Sequence, residues 1–329
     1  MKEVIKRLTE AYGPSGHENE VTELIKSEIE SEVDEIRIDK LGNLIALKEG
    51  KSNKKVMLAA HMDEIGLITT HIDEDGFVRF SNVGGISPYI LLGERVVFGN
   101  GLEGVIGKEK LDSIKELEFS KMYIDVGLDS KEAVKEQINI GDVATYKRDF
   151  SNLGDKLLAK SLDDRIGCAL LIEVIKNVSN LANDTYFVFT VQEEVGIRGA
   201  QTSAFGINPD LGLAIDVTRT GDTPEARKMA VSLGEGPAIK VKDRSVITHP
   251  KVKDLMVSVA EREEIPYQLE VLEFGGTDAG SIHLTRGGVP TGVLSIPARY
   301  IHTPSELVDY DDVKNGVKLL NSFLQETIE

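Results

Sequence analysis

Tyr186-Phe187-Val188-Phe189-Thr190-Val191 is an unbroken β-branched and aromatic run that ends, after Gln192, on two adjacent carboxylates, Glu193 and Glu194. A run of this kind predicts a strand buried on both faces, and therefore a sheet covered on both sides. Two negative charges at the end of such a strand cost several kcal/mol unless something positive compensates them. Gly196 and Gly199 follow and let the chain turn away.

The rest of the chain sets that strand in an alternating pattern. The first thirty residues read as two amphipathic helices around "GPSGHE", and "RIDKLGNLIALKEG" reads as a pair of strands around Gly42-Asn43. "KKVMLAAHMDEIGLITTHI" contains a buried strand with a polar end, followed by another strand. From about Asp73 to Lys156 the texture changes to short strands between Gly, Pro and charged turns, with one helix signal at "DSKEAVKEQ". Beyond Leu157 strands and long helices alternate again: a helix from Asp163, strands at 185–192 and "LGLAID", helices from about 249 and from Asp278, a strand "PTGVLSI" and a last helix from Tyr310. The predicted fold class is α/β. A mixed central sheet flanked by helices is formed by residues 1–72 and 157–329, with a small all-β barrel or sandwich inserted at 73–156. A length of 329 residues agrees with two domains, because single cores stop growing near roughly 250–300 residues.

The strand ends share a chemistry. His61 and Asp63 follow "VMLAA", Glu193 and Glu194 follow "FVFTVQ", Asp216 ends "LGLAI", and His302 lies in the loop after "VLSI". Asp163 and Asp164 open a helix just past the insert. Open α/β sheets bind ligands outside the carboxyl ends of their strands. Imidazoles and carboxylates gathered there suit a divalent ion such as zinc, cobalt or manganese. Taken singly each has an ordinary reading: Asp163 as a helix cap, Asp216 as a turn residue, Asp63 or Glu194 paired with Arg165 or Arg198. The joint pattern favours metal.

Six motifs in this order, "LAAHMDEIGL", "KSLDDRIGC", "TVQEEVGIRGA", "AIDVT", "GGTDAGSIH" and "IPARYIHTPSE", resemble those of the tetrahedral (TET) or glutamyl-type aminopeptidases, also called cellulase-M-like proteins. The resemblance runs from about residue 5 to the C-terminus. It implies a zinc-aminopeptidase-like fold and a two-metal aminopeptidase. His61, Asp163 and Asp216 would hold one ion and Asp163, Glu194 and His302 the other, with Asp163 bridging. Asp63 would orient the His61 imidazole, and Glu193 would be the general base. It also implies that the insert builds dimers that assemble into a hollow dodecamer.

Elementary chemistry agrees with that division of labour. Two divalent ions polarise a carbonyl and acidify a bridging water, and that water needs a carboxylate not bound to metal. Consecutive residues at a strand end point in different directions, so Glu194 can bind while Glu193 shuttles a proton. Thr277 and Asp278 read either as a capped helix start or as a wall of the substrate pocket. Cys168, amid Ala169, Leu170 and Leu171, reads as a buried inert thiol. The insert shows no catalytic constellation. Its apolar stretch, with Ile86, Tyr89, Ile90, Leu91 and Leu92, reads either as the module's own core or as a surface for another copy, and the resemblance implies the second.

The expected activity is metal-dependent removal of N-terminal residues from short peptides; the alternative is an amidase or deacylase on small N-acyl substrates. A glycosidase would want aromatic platforms for sugar rings, and the chain has no Trp and 5% aromatics. A binding protein with a degenerate site would have lost a ligand or the base, and all are present. A net charge of −17 argues against nucleic acid as a partner. The charged start "MKEVIKRLTEAYGPSGHE" carries no apolar signal segment, no run is long enough for a membrane span, and a single cysteine fits a reducing cytoplasm.

Overall fold

Parallel strands make the centre of the large sheet. In the computed structural model, which describes residues 1–328, Ser52–His61 lies between Asn183–Thr190 and Leu211–Arg219, parallel to both, and Thr291–Arg299 extends the parallel set. Glu35–Ile38 and Leu44–Lys48 close one side as antiparallel strands. Glu306–Asp309, Lys156–Ala159 and Ser151–Asn152 close the other. Ala238–Lys242 pairs with Thr291–Arg299 and carries the edge strand Gln268–Val271. The register places Thr190 opposite His61, and Ala214 opposite Ala59, two residues before Asp216 and His61, so these side chains come to one level of the sheet.

The helix Leu162–Asn177 fills the space behind that edge. Ile166, Cys168, Leu170, Leu171, Val174 and Ile175 are all buried, which covers its whole circumference. A helix apolar all round belongs inside a core, and this one packs against Tyr310–Phe323 and the strands Ser52–His61 and Leu211–Arg219. Cys168 is buried and donates to the His61 carbonyl, in keeping with an inert thiol.

The insert is a closed barrel of antiparallel strands, in order Gly66–Ile72, Val78–Val83, Met122–Asp125, Glu103–Lys108, Arg95–Phe98 and Val143–Tyr146. Closure leaves no free edge, and Ile72, Val78, Phe80, Leu91, Val96 and Ile124 form a separate core within it. Its strands start at Gly66, before the expected residue 73, and residues 151–159 pair in the large sheet and not in the barrel. The crossing point explains the shift. A Cβ on Gly66 would stand 2.9 Å from Val143 Cγ1, 3.0 Å from Pro14 Cβ and 3.1 Å from the Ala144 carbonyl, so the chain passes between the two bodies there.

The expected apolar surface at 86–92 is divided. Leu91 is fully buried in the barrel, Ile86 and Leu92 pack on its core, and Tyr89 is 54% exposed. Among the described residues no helix is long and apolar enough to cross a membrane.

Candidate metal centre

His61, Glu193 and Glu194 come to the site from the ends of parallel strands, Asp216 from within the last part of Leu211–Arg219, Asp163 from the start of the buried helix and His302 from the loop after Thr291–Arg299. They line one cleft of about 380 Å³, with Gly85, Lys240, Phe274 and Ile301 among its other walls. Asp163 stands between the two histidines: its Oδ1 is 3.1 Å from His61 Nε2 and its Oδ2 is 3.3 Å from His302 Nε2. Glu194 Oε1 is 3.2 Å from the same His302 nitrogen.

The neighbouring aspartates divide their work. Asp164 Oδ1 accepts the Gly167 amide at 3.1 Å and caps the helix, and its Oδ2 accepts the His61 amide at 3.2 Å. Asp163 is thereby left free of the capping role that an Asp at this place commonly takes. The peptide between them is cis. Donor atoms of His61, Asp163 and Glu194 lie within 4.8 Å of one another, as do those of His61, Asp164 and Asp216. Asp216 therefore groups with Asp164, where the motif resemblance had grouped it with Asp163.

Asp63 stands beside His61 but makes its closest contacts elsewhere. Its carboxylate is 3.6 Å from His61 Nδ1, too far for a hydrogen bond, and the ring nitrogen instead faces the Asp63 backbone carbonyl at 3.1 Å. The carboxylate accepts the Glu193 amide at 2.9 Å, the Glu194 amide at 3.2 Å and the Ser15 hydroxyl at 2.6 Å. It fixes the turn that carries both glutamates. Arg165 is fully buried, donating to the carbonyls of Met62, Leu8 and Gly13, and Arg198 bonds Gln192, so neither neutralises Asp63 or Glu194.

Three neighbouring features were not read from the sequence. Glu306 Oε2 accepts the Asp163 amide at 2.9 Å and its Oε1 accepts the His302 amide at 2.7 Å. Glu306 closes the quoted motif "YIHTPSE", and its spacing from His302 was the available signal. Glu64 lies in a buried cluster, accepting from Lys160 Nζ at 2.7 Å, Thr145 Oγ1 at 2.7 Å and Ser161. The third is the barrel turn at Gly84-Gly85: a Cβ on Gly85 would stand 3.0 Å from His302 Nδ1, and one on Gly84 3.0 Å from Glu194 Oε2. Thr277 and Asp278, by contrast, are buried and do not line the cleft; Gly275 and Gly276 do. Asp278 accepts from the Thr190 hydroxyl at 2.5 Å.

Electrostatics show what the site lacks within the protein. Burial pushes Glu193 well above the usual carboxylate range against the pull of His61, and Asp216, Glu194 and Asp278 add to the rise. Asp216 is raised likewise by burial and by Asp163. Burial opposes charge on His302, but Glu194 and Asp163 outweigh it and lift the imidazole to about 12. Burial also works against Asp163, yet His302 and His61 hold its carboxyl below its ordinary range. Carboxylates outnumber imidazoles in the cleft. Oxygen and imidazole donors at these spacings fit divalent cations, which remove the excess negative charge.

The family model described as M42 glutamyl aminopeptidase matches residues 42–319. The chain belongs to the M42 glutamyl aminopeptidase family. This M42 chain is a metal-dependent aminopeptidase, a hydrolase, and its fold is that of the family. It is 37% identical to the lysyl aminopeptidase of Pyrococcus furiosus, over 98% of this chain and 96% of that one. An aminopeptidase structure from Desulfurococcus kamchatkensis superposes with a TM-score of 0.95 at 43% identity, covering 99% of this chain and 94% of the other. The TET1 peptidase of Pyrococcus horikoshii, which can assemble into a tetrahedron or a large octahedral shell, gives 0.89 at 36% identity over 99% of both chains.

Proposed function

We propose that this aminopeptidase removes N-terminal residues from short peptides with two divalent ions, one held by His61, Asp163 and Asp216 and the other by Asp163, Glu194 and His302. The observation that carries this reading is Asp163, whose two oxygens face two different imidazoles at 3.1 and 3.3 Å. Asp164 is less suited to bridge, because both its oxygens already accept backbone amides. When bound, such ions would polarise the scissile carbonyl and acidify a water.

The remaining roles belong to the chain. Glu193 lines the cleft and belongs to neither donor cluster, and burial raises its proton affinity. A carboxylate of that kind takes a proton from the attacking water and passes it to the leaving amine. Asp63 holds Glu193 and Glu194 by their amides, and Glu306 does the same for Asp163 and His302. Zinc, cobalt and manganese all suit this donor set. The cytoplasm suits a chain with one buried thiol.

The barrel, on this reading, joins copies into dimers and a dodecamer. Tyr89, Val105, Ile114 and Ile140 are exposed on it, and a structural relative forms closed shells. Closed symmetry with inward sites would admit peptides and exclude folded proteins. A panel of aminoacyl chromogenic substrates, assayed on chelated protein reloaded with each metal, tests the activity. Turnover restored by one of zinc, cobalt or manganese is expected; equal turnover in excess chelator would remove the metal from the mechanism. Light scattering tests the assembly, and a monomer at micromolar concentration would refute it.

A further inference from the structure

The inserted barrel reaches the metal centre through a single turn. Val78–Val83 ends beside the cleft, and Gly84 and Gly85 follow before the short helical turn Pro88–Ile90. Gly84 has φ +79°, and its carbonyl is fixed by the Asn82 side-chain amide at 2.7 Å. A Cβ there would meet Glu194 Cβ at 3.2 Å and Ile65 Cγ2 at 2.8 Å. Gly85 has no such backbone demand, and its missing side chain has one neighbour: His302 Nδ1 and Cε1, at 3.0 and 3.1 Å from where a Cβ would be.

We propose that the Gly84-Gly85 turn is a positioning element for the Glu194–His302 pair, so that the barrel helps to set the metal centre besides any part in assembly. The turn lies against the Nδ1 edge of His302 and against Oε2 and Cβ of Glu194. His302 Nε2 meets Glu194 and Asp163 at 3.2 and 3.3 Å, and its other ring nitrogen faces Gly85. The imidazole is thus held between two carboxylates and the barrel backbone. A methyl on Gly85 requires it to give way by a few tenths of an ångström, a displacement that matters where ligand geometry must be narrowly met. The proposal rests on the reading of His302 and Glu194 as ligands, and Gly85 acts through them.

The test is calorimetric titration of chelated protein with cobalt, with kcat and KM measured alongside. Wild-type protein is expected to take two equivalents. In Gly85→Ala the second equivalent binds about ten- to a hundredfold more weakly, the usual scale when a ligand loses its support. The first equivalent is unchanged, and kcat falls with little change in KM. Gly101→Ala is the control: it lies in the same barrel, has φ +87° and has no atom within 4 Å of its Cβ position. It strains the barrel without touching the site, so both affinities stay at wild-type values. If Gly85→Ala does not fold, the exposed Asn82→Ala, which frees the Gly84 carbonyl, takes its place with a loss of about threefold or more expected by the same logic of lost ligand support. Wild-type affinities in the substituted turn, or an equal loss in Gly101→Ala, would overturn the proposal. A wild-type protein taking one equivalent would count against the two-ion reading, and the Gly85 comparison is then read on that equivalent.

Discussion

Asp63 holds Glu193 by its backbone and leaves its side chain free: Asp63 Oδ1 accepts the Glu193 amide at 2.9 Å. The other oxygen accepts the Glu194 amide at 3.2 Å and the Ser15 hydroxyl at 2.6 Å. One carboxylate therefore sets where the proton carrier and its metal-binding neighbour emerge from the strand. Asp63→Ala is expected to lower kcat about ten- to a hundredfold, as losses of outer support commonly do. Two metals per chain should remain by elemental analysis, because Asp63 itself belongs to neither donor cluster. Loss of one ion would show that Asp63 chiefly serves the His61 imidazole.

Asp163→Asn should weaken both metal equivalents together. Its two oxygens face His61 and His302, and an amide replaces one acceptor by a donor. Titration calorimetry showing one equivalent unaffected would place the bridge elsewhere.

Metal binding should release protons. Glu194 and Asp163 overcome burial to raise His302 to about 12, and His61 is raised as well, by Asp163 and Asp63 against its own burial. Both imidazoles must be neutral to bind metal. Protons therefore compete, and apparent affinity rises with pH across neutral conditions, about tenfold per pH unit for each proton displaced. Titration in two buffers of different ionisation heat should give a net release; identical heats would contradict this sign.

Stability should depend on the buried Glu64 cluster. Lys160 Nζ lies 2.7 Å from Glu64, and Arg165 lies 3.6 Å away, all three nearly inaccessible to water. Burial opposes both charges; it lowers Lys160, whereas Lys160 and Arg165 hold Glu64 below its usual range. The short contact and the Ala11 carbonyl, 3.2 Å from Lys160 Nζ, favour the ionised pair at neutral pH. Lys160→Met breaks a buried pair and should cost about 3–5 kcal/mol, read as a lower thermal midpoint. The folded pKa of Glu64 is depressed, so its contribution is present above the ordinary carboxylate pKa and is lost as pH falls below it. An unchanged midpoint at neutral pH would mean the pair is dispensable.

The strand ends were the most legible part of the sequence, because a charged residue after a buried apolar run has few places to go. His61, Glu193, Glu194 and Asp216 follow from that pattern. The choice between Asp163 and Asp164 was not legible in the residues themselves, since both are aspartates at one helix start and only the Gly167 amide distinguishes the cap. Glu306 and Asp63 act through backbone amides, which leave no residue-type signature. Thr277 and Asp278 read either as a helix start or as a pocket wall; they stand at the start of Ala279–Ile282 and are buried, with Asp278 turned toward Thr190. The barrel's reach into the site was hidden for a related reason: Gly84 and Gly85 contribute by the space they leave, and in sequence a glycine pair reads as a turn.

The most direct measurement of the account is metal content and turnover of Glu193→Gln, made together. Glu193 lines the cleft, belongs to neither cluster of metal donors and is held in a half-buried, acidic setting that raises its proton affinity. Elemental analysis should find the same two ions per chain as in the wild type. Turnover on an aminoacyl substrate should fall by about 10²–10⁴, the contribution of a positioned acid–base group. A variant that loses an ion would make Glu193 a ligand, and one that keeps both ions and full turnover would leave the proton transfer to another residue; either result contradicts the mechanism.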